Sequence, residues 1–335
     1  MTEKEKRLAD FCRCHHFDGV LLRRRANIAW LTDGADVHCD TSTPLGVAAL
    51  LWSPRRKTVL CDAIEAPRMA EEEFGREWKV QSWPWSETPP PLPQGRWATD
   101  WPRDRIAPLR WSLTADEIRR YRALGRDAAE VLRSVMENIL PGVTEHQIAG
   151  ITGAMLRQRG ILPYVTLVAA DHRVDRYRHP IPTANRLRKK LMVVVCAQRH
   201  GLIVSLTRLA HFGKLPAQLR RKHQAVCHVD EVLHAATRPG ARWCDILAEG
   251  LRAYRETGFG EEWLKHHQGG PTGYECRDFK ATPREKRRVL ERQAVAWNPS
   301  ITGTKSEDTT LSDGEVLTAM PGWPLCGARP DILVR

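Results

Sequence analysis

The chain opens with a helix-like stretch from Glu3 to His16, and short apolar runs separated by turn residues follow. Val20-Leu21-Leu22 reads as a buried strand and Asn27-Ile28-Ala29-Trp30-Leu31-Thr32 as a second. Gly46–Trp52 and Thr58–Cys61 read as a third and fourth, joined through the turn-rich Ser53-Pro54-Arg55-Arg56-Lys57. This alternation predicts an α/β layer over residues 1–83. The pattern lapses over residues 84–111, where Pro84, Pro89-Pro90-Pro91, Pro93 and Pro102 break any ladder or helix. That stretch is expected to be a linker.

Helical periodicity begins again at Thr114-Ala115-Asp116-Glu117, a capping box. Ile118, Tyr121, Leu124, Ala128, Val131, Leu132 and Val135 then trace one helical face. A second box, Thr144-Glu145-His146-Gln147, starts a helix expected to stop near Gly160. Leu191–Val195 is a continuous apolar strand, with Gly201–Leu206 as its hairpin partner. Helices are expected over 216–236 and 245–257, separated by Pro239-Gly240. Residues 112–335 thus form a second, larger domain, and the whole chain is of α+β class.

A length of 335 residues favours two domains over one. No apolar run reaches the length of a membrane span, and the charged N-terminus lacks a signal core, so a soluble cytoplasmic protein is expected. Nine scattered cysteines fit free thiols in a reducing compartment. Cys12-Arg13-Cys14-His15-His16 has no second Cys/His pair at zinc-finger spacing and reads as structural. The net charge of +12 comes mainly from arginine, but its clusters are short and not interleaved with aromatics. A solvated basic surface that steers anionic substrates fits better than nucleic-acid binding.

Three stretches carry a family likeness. They are Asn27–Thr32, the segment from His200-Gly201 to Thr207-Arg208, and the segment from Asn298-Pro299 to Glu307-Asp308-Thr309. Together with the glycine loop Gly269-Gly270-Pro271-Thr272-Gly273, they resemble the creatinase/aminopeptidase P/prolidase family, M24, of pita-bread fold. The resemblance implies a creatinase-like N-terminal α/β domain and a pita-bread catalytic-type domain. It also implies a homodimer.

Metal-dependent members of that family carry five metal ligands, and the resemblance places those positions here one by one. Two aspartates fall at Val194 and Ser205, a histidine at Gly270, a glutamate at Asn298 and a last glutamate at Glu307. One carboxylate among these residues is too few for a catalytic divalent ion. No metal and no cofactor is expected at those positions. Creatinase, a metal-free member, implies another chemistry, with His179 as a general acid/base that titrates near neutral pH. Glu307 is the second catalytic candidate.

Arg277 falls where dipeptidases carry a second histidine, and a guanidinium there suits a carboxylate. His266, His267, Asn298, Ser205 and Asp308 complete the candidate substrate-binding set. The expected activity is metal-independent hydrolysis or lysis of a C–N bond in a small zwitterionic, amino-acid-like substrate. Two alternatives stay open. One is a non-catalytic pseudo-peptidase that binds a partner. The other is an Xaa-Pro peptidase with an atypical metal site built from His266, His267 and Glu307.

Overall fold

A computed structural model describes all 335 residues. By internal contacts the chain divides into two units, residues 1–111 with 200–202 and residues 112–199 with 203–335.

In the first unit Thr2 and Glu5 form a capping box on α1 (Glu3–His15), and His16 closes the helix in the left-handed conformation. There follow β1 (Gly19–Arg24), α2 (Arg25–Leu31), β2 (Leu45–Ser53), β3 (Arg56–Asp62), the single turn α3 (Ala66–Arg68), β4 (Lys79–Trp83) and β5 (Trp97–Thr99). The sheet runs β4-β3-β2-β1-β5. Its β1–β2 and β2–β3 pairs are antiparallel, and the β3–β4 and β1–β5 pairs are parallel.

Two features differ from the sequence reading. Asn27–Leu31 is helical, not a strand, and Ala26 through Leu31 are all buried. An apolar run buried on every side does not declare its period. The one polar side chain in it, Asn27, donates to Asp100 and Asp104 at 2.9 and 3.0 Å and accepts from Arg110 at 2.9 Å. The second difference is β5, which lies inside the stretch read as linker and pairs with β1.

The second unit begins with α4 (Ala115–Asn138) and α5 (Glu145–Arg157), each opened by the capping box its sequence carries. Next come β6 (Leu162–Ala170), α6 (His172–Arg176), β7 (Lys190–Arg199), β8 (Leu202–His211), α7 (Ala217–Ala236) and α8 (Trp243–Glu256). The last part holds β9 (Gly269–Thr272), β10 (Ala294–Trp297), β11 (Ser300–Ile301), β12 (Thr304–Lys305) and β13 (Asp308–Leu311). It ends with β14 (Leu325–Cys326), β15 (Arg329–Pro330) and β16 (Leu333–Val334). His200-Gly201 joins β7 to β8 with φ of 51° and 78°, the two positive values that a two-residue type I′ hairpin requires.

Two sheets of this unit position the site. One runs β16-β8-β7-β6 and the other β13-β10-β9. Every residue of β8 is buried. Between the sheets, the Ser205 N–H donates to Thr309 Oγ1 at 2.7 Å, and that hydroxyl donates to the Ser205 carbonyl at 3.0 Å. The Thr207 N–H donates to the Glu307 carbonyl at 3.1 Å. These bonds hold Glu307 against Ser205 and Thr207. Behind them, Val229 and Leu233 of α7 and Trp243 and Tyr254 of α8 pack with Val295 and Trp297, and the Trp297 indole donates to Thr237 at 2.9 Å.

Candidate active site

Glu307 follows β12 and is 2 % exposed. Both of its carboxylate oxygens are taken. Lys305 Nζ donates to Oε2 at 2.6 Å, Thr207 Oγ1 donates to the same oxygen at 2.6 Å, and Arg277 Nη2 donates to Oε1 at 3.1 Å. Burial alone would raise the pKa of this carboxyl, but Lys305 and Arg277 hold it below its ordinary value. Glu307 is therefore an ionised carboxylate between two cations.

Arg277 is nine-tenths buried at its side chain. Besides Glu307 it donates to Ser205 Oγ at 3.2 Å and to the Cys276 carbonyl at 2.5 Å. Its Nε has no partner. Ser205 Oγ also lies 3.4 Å from Cys196 Sγ. Asn298 is 3 % exposed, and its side-chain oxygen is buried without a partner.

His179, His266 and His267 meet beside these groups in sequence-distant loops, the first after α6 and the other two just before β9. His266 Nε2 lies 3.1 Å from His179 Nε2, and His266 Nδ1 lies 3.3 Å from Ser300 Oγ. The ring centroids of His266 are 4.9 Å from His179 and 4.7 Å from His267. Burial, then Lys305, draws the His179 imidazole below its ordinary value. Burial and the neighbouring cations draw His266 down to about 2 and His267 to about 3. All three rings are neutral at pH 7.

Of the residues singled out in the sequence, the structure brings together His179, His266 and His267. It also brings together Glu307, Arg277 and Ser205. It does not bring Asp308 to either group. The Asp308 carboxylate receives Arg208 at 2.9 Å, Thr318 at 2.6 Å and Arg329 at 3.0 Å. Sequence reading passed over Thr207, Cys196 and Ser300. The two-residue period of a strand pairs Thr207 with Ser205 and Cys196 with Val194, a signal that finds two of them.

The donor set does not fit the two-metal centre of the family. Val194 is an apolar residue buried to 3 % exposure. Gly270 has φ of 153°, and a Cβ built there would stand 2.4 Å from the Phe279 carbonyl oxygen, so the loop closes over the place of a histidine side chain. Glu307 is saturated by cations and protein hydroxyl. Gly270→Ala is expected to lower stability by about 1–3 kcal/mol, from a disfavoured φ and an overpacked contact. Urea unfolding measures this, and an unchanged midpoint would show that the Phe279 segment yields freely.

The model of Metallopeptidase family M24 matches residues 119–329, and the chain belongs to that family. No curated protein matches the sequence. A dipeptidase from Pyrococcus horikoshii OT3 superposes with a TM-score of 0.79 at 17% identity, over 99% of this chain and 100% of that one. A prolidase from the same organism gives 0.78 at 17%, over 95% and 99%. An Xaa-Pro dipeptidase from Bacillus anthracis gives 0.77 at 16%, over 99% of each chain. The fold is therefore the α+β pita-bread fold of M24. No helix is long and apolar enough to cross a membrane.

Proposed function

We propose that this protein hydrolyses a C–N bond in a small peptide-like or amino-acid-like substrate, without the two-metal centre of its relatives. The observation that carries this reading is the saturation of Glu307 by Lys305 and Arg277. Two fixed side-chain cations neutralise the one carboxylate left from the ligand set. Metal-bound hydroxide is then replaced by water that loses its proton to an imidazole.

His179 is the group for that task. It is the exposed member of the imidazole cluster, and its neutral ring accepts a proton at pH 7. In this reading His179 takes a proton from the attacking water and returns it to the leaving nitrogen. The surplus positive charge of Lys305 and Arg277 over Glu307 favours a substrate that carries a carboxylate. Both oxygens of Glu307 are already bound by side chains, so the substrate need not be a zwitterion.

The test is chelator-treated protein offered dipeptides and small guanidino and amino acids. Turnover is expected to survive chelation. His179→Ala is expected to lower kcat by about 100-fold or more while KM changes little, the range for a lost general acid/base. Turnover that vanishes with chelator and returns with manganese or cobalt would sink the metal-free reading. A fully active His179→Ala variant would sink the role of His179.

One observation favours a second reading, a non-catalytic binding module. Arg277, expected to meet a substrate carboxylate, is held instead by Glu307. Tight binding of a peptide with no turnover, unaffected by His179→Ala, would support that reading over hydrolysis.

A further inference from the structure

We propose that His179, His266 and His267 form a site for a single borderline divalent cation such as Zn²⁺ or Co²⁺. This site is distinct from the carboxylate centre of the family. One ring nitrogen from each histidine lies within 4.8 Å of the other two. The 3.1 Å between the Nε2 atoms of His179 and His266 is close to the edge of a zinc coordination tetrahedron, about 3.3 Å for Zn–N bonds near 2.0–2.1 Å. His267 is within 4.8 Å of both, and metal binding would have to draw its ring nearer. Glu307 is not available as a ligand, because Lys305, Thr207 and Arg277 fill both of its oxygens.

Three further features suit a metal. Ser300 Oγ sits 3.3 Å from His266 Nδ1 and fixes the ring with Nε2 turned toward the cluster; ligating histidines are commonly held this way through their second nitrogen. The His267 Nδ1 is buried without a partner, so that ring has a nitrogen free to ligate. Burial keeps all three imidazoles neutral, the form that binds a metal. The neighbouring Lys305 and Arg277 charges, only partly offset by Glu307, weaken the site for every divalent ion alike, and selectivity rests on a donor set of neutral nitrogens without a carboxylate. Zinc, cobalt, nickel and copper accept neutral nitrogen donors. Three protein ligands leave a fourth position open to water or substrate.

The experiment titrates Co²⁺ into the chelator-stripped full chain and follows the visible d–d bands, with Zn²⁺ as competitor. Expected are one cobalt per chain, bands of tetrahedral intensity and displacement by zinc. His267→Gln and His179→Gln should each weaken binding by about tenfold or more, a loss of the size seen when the shell of a metal site is disturbed. His179 is exposed, so its variant is expected to fold even where a change at buried His266 does not. The exposed His146→Gln serves as the control and should bind as wild type. Absence of bands, or binding that survives both cluster variants, would overturn the proposal and leave an imidazole–imidazole hydrogen bond only.

The site and the metal-free hydrolysis proposed above fail separately. Bound metal takes the His179 lone pair, so zinc inhibits a metal-free activity. Activity that appears only with zinc keeps the site and ends the metal-free reading. Chelator-stable activity without cobalt bands keeps that reading and ends the site.

Discussion

Glu307→Ala is expected to destabilise the protein by about 3–5 kcal/mol, the cost of breaking a buried ion pair from one side. Lys305 is 4 % exposed and the Arg277 side chain 10 %. Removing the carboxylate leaves both cations buried without a counter-charge. Desolvation of such groups is what makes a half-removed pair expensive. Lys305→Met in the same protein removes one stranded cation, so the double variant is expected to recover part of the loss. Urea unfolding of the four proteins closes a double-mutant cycle, and the coupling between residues 305 and 307 should exceed about 1 kcal/mol. Additive single effects, or a Glu307→Ala variant as stable as wild type, would show that the carboxylate is not the counter-ion of these side chains. The Glu307→Ala variant separates structure from chemistry as well. A folded variant that keeps turnover would confine Glu307 to charge balance.

Much of this arrangement was legible before any coordinates. The Thr114 and Thr144 capping boxes start α4 and α5 where the sequence places them, because a cap is a local contract between residues three apart. The His200-Gly201 hairpin was equally plain. Position 270 as glycine announced that a ligand was missing, and the Phe279 carbonyl oxygen 2.4 Å from where a Cβ would stand leaves no room for a side chain. The Lys305–Glu307 pair forms where the chain leaves β12, across Ser306 and Glu307, which belong to no strand, so strand spacing does not announce it.

Glu307 precedes β13 and Asp308 opens it, and the Asp308 carboxylate turns to Arg208 and Arg329. Reading the two adjacent acids as one site missed that separation. What no spacing reveals is a contact between distant loops. His179 and His266 are brought to 3.1 Å by tertiary packing alone. Asn27 illustrates the opposite error. Its run is apolar enough for a strand, but the side chain is the hub of a hydrogen-bonded cluster on a buried helix, and periodicity cannot tell those cases apart.

Arg329→Ala is expected to cost about 3–5 kcal/mol of stability. Arg329 is 3 % exposed. It donates to Asp230 at 2.7 Å and to Asp308 at 3.0 Å, and so joins two buried carboxylates. Asp308 keeps Arg208, but Asp230 is left with the Ser306 hydroxyl and a His234 ring 3.3 Å away that makes no hydrogen bond to it. Burial alone would raise the Asp230 carboxyl, and Arg329 followed by His234 draws it down to about 2 from an ordinary 3.8. The sign follows from linkage. A depressed carboxyl contributes stability that is fully present above its unfolded value and lost as pH falls through its folded value. In wild type this contribution persists above about pH 4 and disappears toward pH 2. Without Arg329 burial dominates, the carboxyl rises, and acid unfolding moves to higher pH. Unfolding followed by circular dichroism between pH 2 and 6 checks both parts. Arg329→Lys keeps one charge but not the fork that reaches both acids, so it should fall between wild type and alanine. An alanine variant with the wild-type acid midpoint would mean that Asp230 draws its charge balance from elsewhere.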